Sequence, residues 1–387
     1  MASIPYGRQD ISDDDIAAVV EVLRSDFLTQ GPVVPRFEHA VADYCGAEYA
    51  VAVNSATSAL HIACLALGVG PGDVVWTSPI TFVASANCAL YCGASVDFVD
   101  IDPRTWNLSV DALARKLELA AANETLPKVV VAVHFSGQPC EMAAIHELGG
   151  RYGFRIIEDA SHAIGGRYED GPIGDCRFSD ITVFSFHPVK VITTAEGGLA
   201  VTNDAGLADA MNLYRSHGIT RDPERMTHAP DGGWYYQQIA LGFNYRLTEL
   251  QAALGLSQMR RLDQFVERRH RIADRYDAEL AALPLQLPRR VASRFSGLHL
   301  YVVRLRLGEI RATHAEVFAA LRRDGIGVNL HYIPVHTQPY YQRLGFRDAT
   351  FPEAEQYYRE AISIPMYAGL ADADQSTVID ALARAVR

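Results

Sequence analysis

From residue 49 to residue 204 the chain alternates between short apolar runs and longer stretches with helical spacing. The runs cover 49–53, 73–76, 95–99, 128–134, 155–157, 181–184 and 198–202. Helix-length segments at 58–67, 84–92, 110–122 and 142–152 separate most of the early ones. Strands joined by helices predict a mainly parallel sheet covered on both faces. Only a loop separates the last two runs, which leaves room for one antiparallel strand. Ahead of this block, Ser12 and Asp15 make a capping box, and Ile16, Val19, Val20 and Leu23 follow at helical spacing.

Behind the block, residues 215–244 are polar and aromatic and contain Gly232-Gly233. They read as a long loop, and loops of that length are usually functional. Thr248 and Gln251 form a second capping box, and one helical periodicity runs on to about Leu283, with Gly255 as its candidate interruption. The remainder reads as a smaller α+β domain, with strand-like runs at 299–305 and 328–331 and a helix at 315–324. The expected division is an N-terminal arm and large domain over 1–255, then a long linking helix and small domain over 256–387.

Composition narrows the class. A chain of 387 residues suits one large domain plus a smaller one. With 49% apolar and 21% charged residues it is a soluble globular protein. The net charge of -11 argues against nucleic acid as a partner and leaves no basic patch for a membrane. No apolar run is long enough for a membrane span, and residues 1–10 lack a signal-peptide core. Cys45, Cys64, Cys88, Cys92, Cys140 and Cys176 form no C-x-x-C pair, so they read as reduced packing residues of a cytoplasmic protein.

In a parallel sheet, ligands bind beyond the carboxyl ends of the strands, and four such ends carry chemistry. After the first run, Asn54-Ser55-Ala56-Thr57-Ser58 opens a helix whose free amides and dipole suit a phosphate. An ordinary N-cap would look the same. After the second, Phe82 could lie flat on a cofactor ring or simply fill a core. After the fifth comes Asp159, a carboxylate that needs a cation or donors at a buried strand end. A protonated pyridine nitrogen is such a partner, and a capping or metal-binding role is the alternative. His162 could reach a ring hydroxyl. After the sixth, Ser185 offers a phosphate contact. Lys190 sits between an apolar strand and the Gly197-Gly198 turn, where dehydration makes its amine a nucleophile toward an aldehyde. The other reading of Lys190 is a solvated surface residue. Together the four ends supply an anion site, a stacking face, a pyridinium partner and an amine, which is the set pyridoxal 5'-phosphate (PLP) needs. His331 and His336 lack zinc-site spacing, so no metal is expected. His187 reads as a packing group or as one that supports Lys190 from behind, without touching the ligand.

The stretches 28–31, 54–61, 78–87, 158–165, 184–204, 242–255 and 331–336 resemble the DegT/DnrJ/EryC1/StrS family of nucleotide-sugar aminotransferases over essentially the whole chain. The resemblance implies PLP fold type I (aspartate aminotransferase-like). It implies that Lys190 carries the cofactor as an imine and that Asp159 faces the ring nitrogen. His162 faces the ring hydroxyl, Phe82 stacks on the ring, and Thr57, Ser58 and Ser185 hold the phosphate. Asn244 matches a residue that reaches the neighbouring subunit's phosphate, which makes a homodimer with shared sites the working unit. Tyr6, Thr29, Gln30, His331, Tyr332 and His336 match sugar-nucleotide pocket positions. The implied reaction is ping-pong transamination from L-glutamate to a UDP-linked 4-keto-6-deoxy sugar of pseudaminic acid biosynthesis. Other UDP- or dTDP-keto sugars, aminated at C4 or C3, are the alternatives, with a PLP-dependent sugar dehydratase and a non-catalytic PLP-binding regulator behind them. Relatives that act as sugar dehydratases carry His at the position of Lys190.

Overall fold

All seven apolar runs become strands of one sheet in a computed structural model that describes residues 3–387. They are β1 (Tyr49–Val53), β2 (Val74–Thr77), β3 (Ser95–Phe98), β4 (Val129–Val133), β5 (Arg155–Asp159), β6 (Ile181–Ser185) and β7 (Gly198–Thr202). Their order across the sheet is β1-β7-β6-β5-β4-β2-β3. β3, β2, β4, β5 and β6 pair in parallel, while β7 is antiparallel to both β6 and β1. The β6–β7 connection holds no helix, so the chain can only return antiparallel.

Helices cover both faces. They are α1 (Asp13–Leu23), α2 (Val33–Cys45), α3 (Ala56–Ala66), α4 (Ala84–Tyr91), α5 (Val110–Ala122), α6 (Met142–Tyr152) and α7 (Ala205–Arg215). Side chains of β4 alternate between the faces, as strand geometry requires. Val130 and Ala132 pack with Phe37 of α2, Leu113 of α5 and Ile145 of α6. Val129, Val131 and Val133 pack with Leu60 of α3, Ala89 of α4 and Met211 of α7. Every residue of β4 is therefore buried, which is why its sequence is a continuous apolar run.

The periodicity after Thr248 is two helices, α8 (Glu249–Met259) and α9 (Leu262–Leu280), and the break falls at Arg260-Arg261. Gly255 does not break the helix. A side chain there would come within 2.6 Å of Thr194 and 2.7 Å of Phe37, so glycine lets α8 lie close to its neighbours. Arg261 instead ties the break to the N-terminal segment, bonding Asp10 at 2.7 Å and Asp15 at 2.6 Å. Asp15 closes the Ser12 capping box and is fully buried, while Ile16 and Leu23 of the same helix are 54% and 56% exposed. Ile16 and Leu23 thus face outward on the single chain, with Val19 and Val20 half-buried beside them.

A second sheet, β8 (Leu285–Gln286), β9 (Tyr301–Leu305) and β10 (Ala361–Ile364), is antiparallel and ordered β8-β9-β10. Val317 and Leu321 of α10 (His314–Arg323) and Val378 and Leu382 of the last helix join α9 in its core. Residues 328–331 do not form the expected strand, since only Asn329 bridges to Ser363. The N-terminal arm lies on this side of the molecule, with Ile4 N–H donating to Gly325 at 2.9 Å. Among the described residues no helix is long and apolar enough to cross a membrane.

Candidate active site

The carboxyl ends of β1, β5 and β6 open into one cavity of about 540 Å³. Its lining includes Thr57, Phe82, Asp159, His162, Ser185 and Lys190, with Tyr6, His331 and Tyr332 closing it from the small-sheet side. The sheet register explains part of the convergence, because Asp159, the last residue of β5, pairs with Val133, the last of β4, and with Val183 near the end of β6.

The first wall is the start of α3. Ser55 is its N-cap and accepts the Ser58 N–H at 3.1 Å. The N–H groups of Ala56 and Thr57 have no partner inside the helix, and both residues line the cavity. β7 holds this helix end in place through Gly198, since a side chain there would collide with the Ser55–Ala56 backbone. Ser58 behaves differently from Thr57. It is buried outside the lining and its Oγ bonds Asn54 Oδ1 at 2.7 Å, so its hydroxyl serves the turn.

Asp159 is buried and held entirely by neutral donors. Ser161 donates its N–H at 3.1 Å and its Oγ–H at 2.6 Å to Oδ1, and Ser85 Oγ donates to Oδ2 at 2.5 Å. Ser85 is in turn 2.7 Å from Thr81 Oγ1. Neither serine has an expected role from the strand-end pattern. An Asp-x-Ser turn was a readable signal for Ser161; Ser85 comes from another helix and carries no motif.

Lys190 lies in the turn between β6 and β7, which is closed at its base by Phe186 N–H to Gly197 at 2.9 Å. Burial pushes its pKa down to about 8, against the opposing pull of Asp159. Three imidazoles stand near it. His162 is driven well below the ordinary histidine value by burial, then by Lys190 and His331. Its Nδ1 accepts the Ser136 N–H at 3.2 Å, so the ring proton is on Nε2, which lies 3.2 Å from Tyr332 Oη. His331 is lowered to about 3 by burial and by Lys190, and its Nδ1 lies 2.8 Å from Ser363 Oγ. His299, absent from the sequence reading, also lines the cavity. Phe82 is 58% exposed, a large aromatic face left open at the cavity.

Other expected residues lie elsewhere. Thr29 is exposed and bridges Thr248, and Gln30 is exposed; neither lines the cavity. His336 is buried against Phe98 and Phe351, with Glu355 at 3.5 Å, and faces a different part of the core. Asn244 is exposed and bridges Ser216. His187 is exposed and lines the cavity, which corrects its reading as a packing group.

The donor set suits a phosphorylated pyridine aldehyde. Asp159 Oδ2 has one donor and keeps lone-pair capacity for a ring N–H. A flat aromatic face, a helix N-terminus and an amine with lowered pKa complete the requirements on one cavity.

A model of the DegT/DnrJ/EryC1/StrS aminotransferase family matches residues 9–383. The chain is 40% identical to the spore coat polysaccharide biosynthesis protein SpsC of Bacillus subtilis, over 98% of this chain and 96% of that protein. It is 36% identical to the UDP-4-amino-4,6-dideoxy-N-acetyl-beta-L-altrosamine transaminase of Campylobacter jejuni, over 98% and 96%. It is 38% identical to GDP-perosamine synthase of Caulobacter vibrioides, over 94% and 93%. Among solved structures, Helicobacter pylori PseC superposes with a TM-score of 0.91 at 30% identity, covering 99% of both chains. The PLP form of the sugar aminotransferase Spr1654 from Streptococcus pneumoniae superposes at 0.88 with 28% identity, covering 99% of this chain and 98% of that one.

Proposed function

Since the chain belongs to the DegT/DnrJ/EryC1/StrS aminotransferase family, and is therefore a PLP-dependent sugar aminotransferase of fold type I, we propose that it aminates C4 of UDP-2-acetamido-2,6-dideoxy-β-L-arabino-hex-4-ulose. L-glutamate is the proposed donor, and the product is the 4-amino sugar of pseudaminic acid biosynthesis. The observation that carries the chemistry is the lowered pKa of Lys190 in the cavity that also holds Asp159. The likeness to the Campylobacter transaminase and to PseC supports the choice of sugar, as do the stretches 54–60, 81–87, 161–163 and 214–218.

When bound, PLP supplies an electron sink for the carbanion left when the donor loses its α-proton. The protein's residues do the rest. Lys190 would hold the cofactor covalently. When free, its Nζ is close enough to neutrality near pH 8 to take the α-proton as a base and return it as an acid. Asp159 would keep the ring nitrogen protonated, and the Ser85 and Ser161 bonds keep Asp159 aimed. His162 would offer its Nε2–H to the ring oxygen as a neutral donor. Thr57, Ser185 and the amides opening α3 would hold the phosphate, with Ser58 supporting the turn from behind. Phe82 would cover the ring. Tyr6, His331 and Tyr332 stand on the side of the cavity where the sugar nucleotide would enter.

The single chain leaves Ile16, Leu23, Phe27, Leu28, Trp234 and Leu241 exposed. Large apolar exposure of this kind marks an interaction surface, and we assign it to a homodimer in which Asn244 reaches the neighbour's phosphate site. The similarity to GDP-perosamine synthase favours a second reading, a GDP-linked 4-keto sugar as acceptor. A panel of UDP-, dTDP- and GDP-linked 4-keto and 3-keto sugars with glutamate, read by NMR of the products, tests both. Amination of the UDP-4-keto sugar alone is the expected result, and turnover confined to a GDP- or dTDP-linked sugar overturns the assignment while leaving the family intact.

A further inference from the structure

Behind His162 the cavity wall contains a buried cation with no counter-ion. Arg269 of α9 is 1% exposed. Its Nη1 donates to the carbonyls of Leu298 and His299 at 3.1 Å each and of Met366 at 3.0 Å. Its Nε has no partner. Burial lowers its pKa to about 10, and no carboxylate offsets that, so it remains charged at neutral pH. An unpaired buried charge is costly, and an apolar side chain of similar volume is often the more stable choice. Stability of the core is therefore a poor reason for this arginine.

What Arg269 grips is the backbone of His299. The His299 ring packs on His162 with centroids 4.5 Å apart, and its Nδ1 is buried without a partner. His162 is held on its other side by the Ser136 N–H. The charged and titratable groups around the two rings are Lys190 and His331 in the cavity, Arg269 behind, and Tyr332 with Asp159 beside it. A second positive charge on either imidazole would face Lys190 in front and Arg269 at the back.

We propose that Arg269 and His299 are positioning residues for the transamination: Arg269 fixes the Leu298–His299 backbone, and His299 confines the His162 ring to one orientation, in which the tautomer set by the Ser136 N–H turns Nε2–H toward the cofactor's ring oxygen. This rests on the reading of His162 as the ring-oxygen contact. The coupling runs through ring packing and backbone bonds, with His299 in the cavity wall and Arg269 behind it.

The test is an absorbance titration of the bound cofactor in the holoenzyme, for His162→Ala, His299→Ala, the double variant and Arg269→Lys. His162→Ala is expected to move the titration midpoint by about one pH unit and His299→Ala by about half as much in the same sense. In the His162→Ala background, His299→Ala should add nothing, because its effect passes through the missing ring. Arg269→Lys ends one bond short of the Nη1 position, so it loosens the hold on the three carbonyls and is expected to match His299→Ala. An additive double variant overturns the relay, as does an unmoved midpoint in His299→Ala; an unmoved midpoint in Arg269→Lys removes Arg269 from it. If His162→Ala itself leaves the midpoint unmoved, the underlying reading of His162 fails instead.

Discussion

At the residue scale the decisive group is Lys190, and its lowered pKa makes a claim about stability as well as reactivity. An unfolded lysine titrates near 10.5, whereas the folded group titrates near 8. Between those values the unfolded chain binds more protons, so this group makes the fold more stable as pH rises. Below pH 8 the full penalty of burying the ammonium is present, up to about 3 kcal/mol. Cofactor-free Lys190→Met is therefore expected to melt above the wild-type apoprotein at pH 7, with the gap closing as pH approaches 10.5. Equal melting temperatures throughout would mean that the amine is solvated. Asp159→Asn tests the opposite wall. It should keep the cofactor attached, seen as visible absorbance, yet lower kcat by roughly a hundredfold to a thousandfold through loss of electrostatic support for the ring nitrogen. Lys190, Asp159, Thr57, Phe82, His162 and Ser185 were legible as neighbours because each follows a strand, and strand ends converge. Ser85 and His299 were not legible, since each touches another residue across the fold and stands in no local pattern.

At the element scale, the site depends on how closely β7 approaches the start of α3. Gly198 has no room for a methyl group against the Ser55–Ala56 backbone. Gly198→Ala must push the helix terminus outward, moving the Ala56 and Thr57 amides that line the cavity. The expected outcome is a loss of about 1–3 kcal/mol in stability, as for other overpacked sites, together with weaker PLP binding measured by titrating the apoprotein. Unchanged PLP affinity would show that the helix terminus does not hold the phosphate. Continuous apolar runs made the strands legible, because a strand buried on both faces has no other sequence. Where packing overrides local pattern, the sequence misleads. Gly255 invites a break, yet it lies inside α8 because Phe37 and Thr194 leave no space for a side chain. The real break, at Arg260-Arg261, is set by ion pairs to Asp10 and Asp15 some 250 residues earlier in the chain, which no local pattern can announce.

At the scale of the whole molecule, the outward face of α1 and the exposed segment carrying Trp234 and Leu241 leave large apolar side chains open to solvent on the single chain. Helical spacing placed Ile16 and Leu23 on one side of α1 but could not say whether that side meets this chain or another; the inner side buries Val22 and Asp15, whose Oδ2 bonds Gln258 and Arg261. If a second copy covers the apolar side and brings Asn244 to its neighbour's cofactor, then each active site is assembled from two chains. Lys190→Ala and Asn244→Ala should then complement. Each homodimer alone lacks one essential part at both sites. After co-refolding of equal amounts, half the dimers are mixed by chance, and each mixed dimer has one site with Lys190 from one chain and Asn244 from the other. Activity should recover to roughly a quarter of the wild-type level per chain. Mixed samples no more active than the average of the two parents would place Lys190 and Asn244 in the service of the same chain, and the exposed apolar face would then need a different explanation.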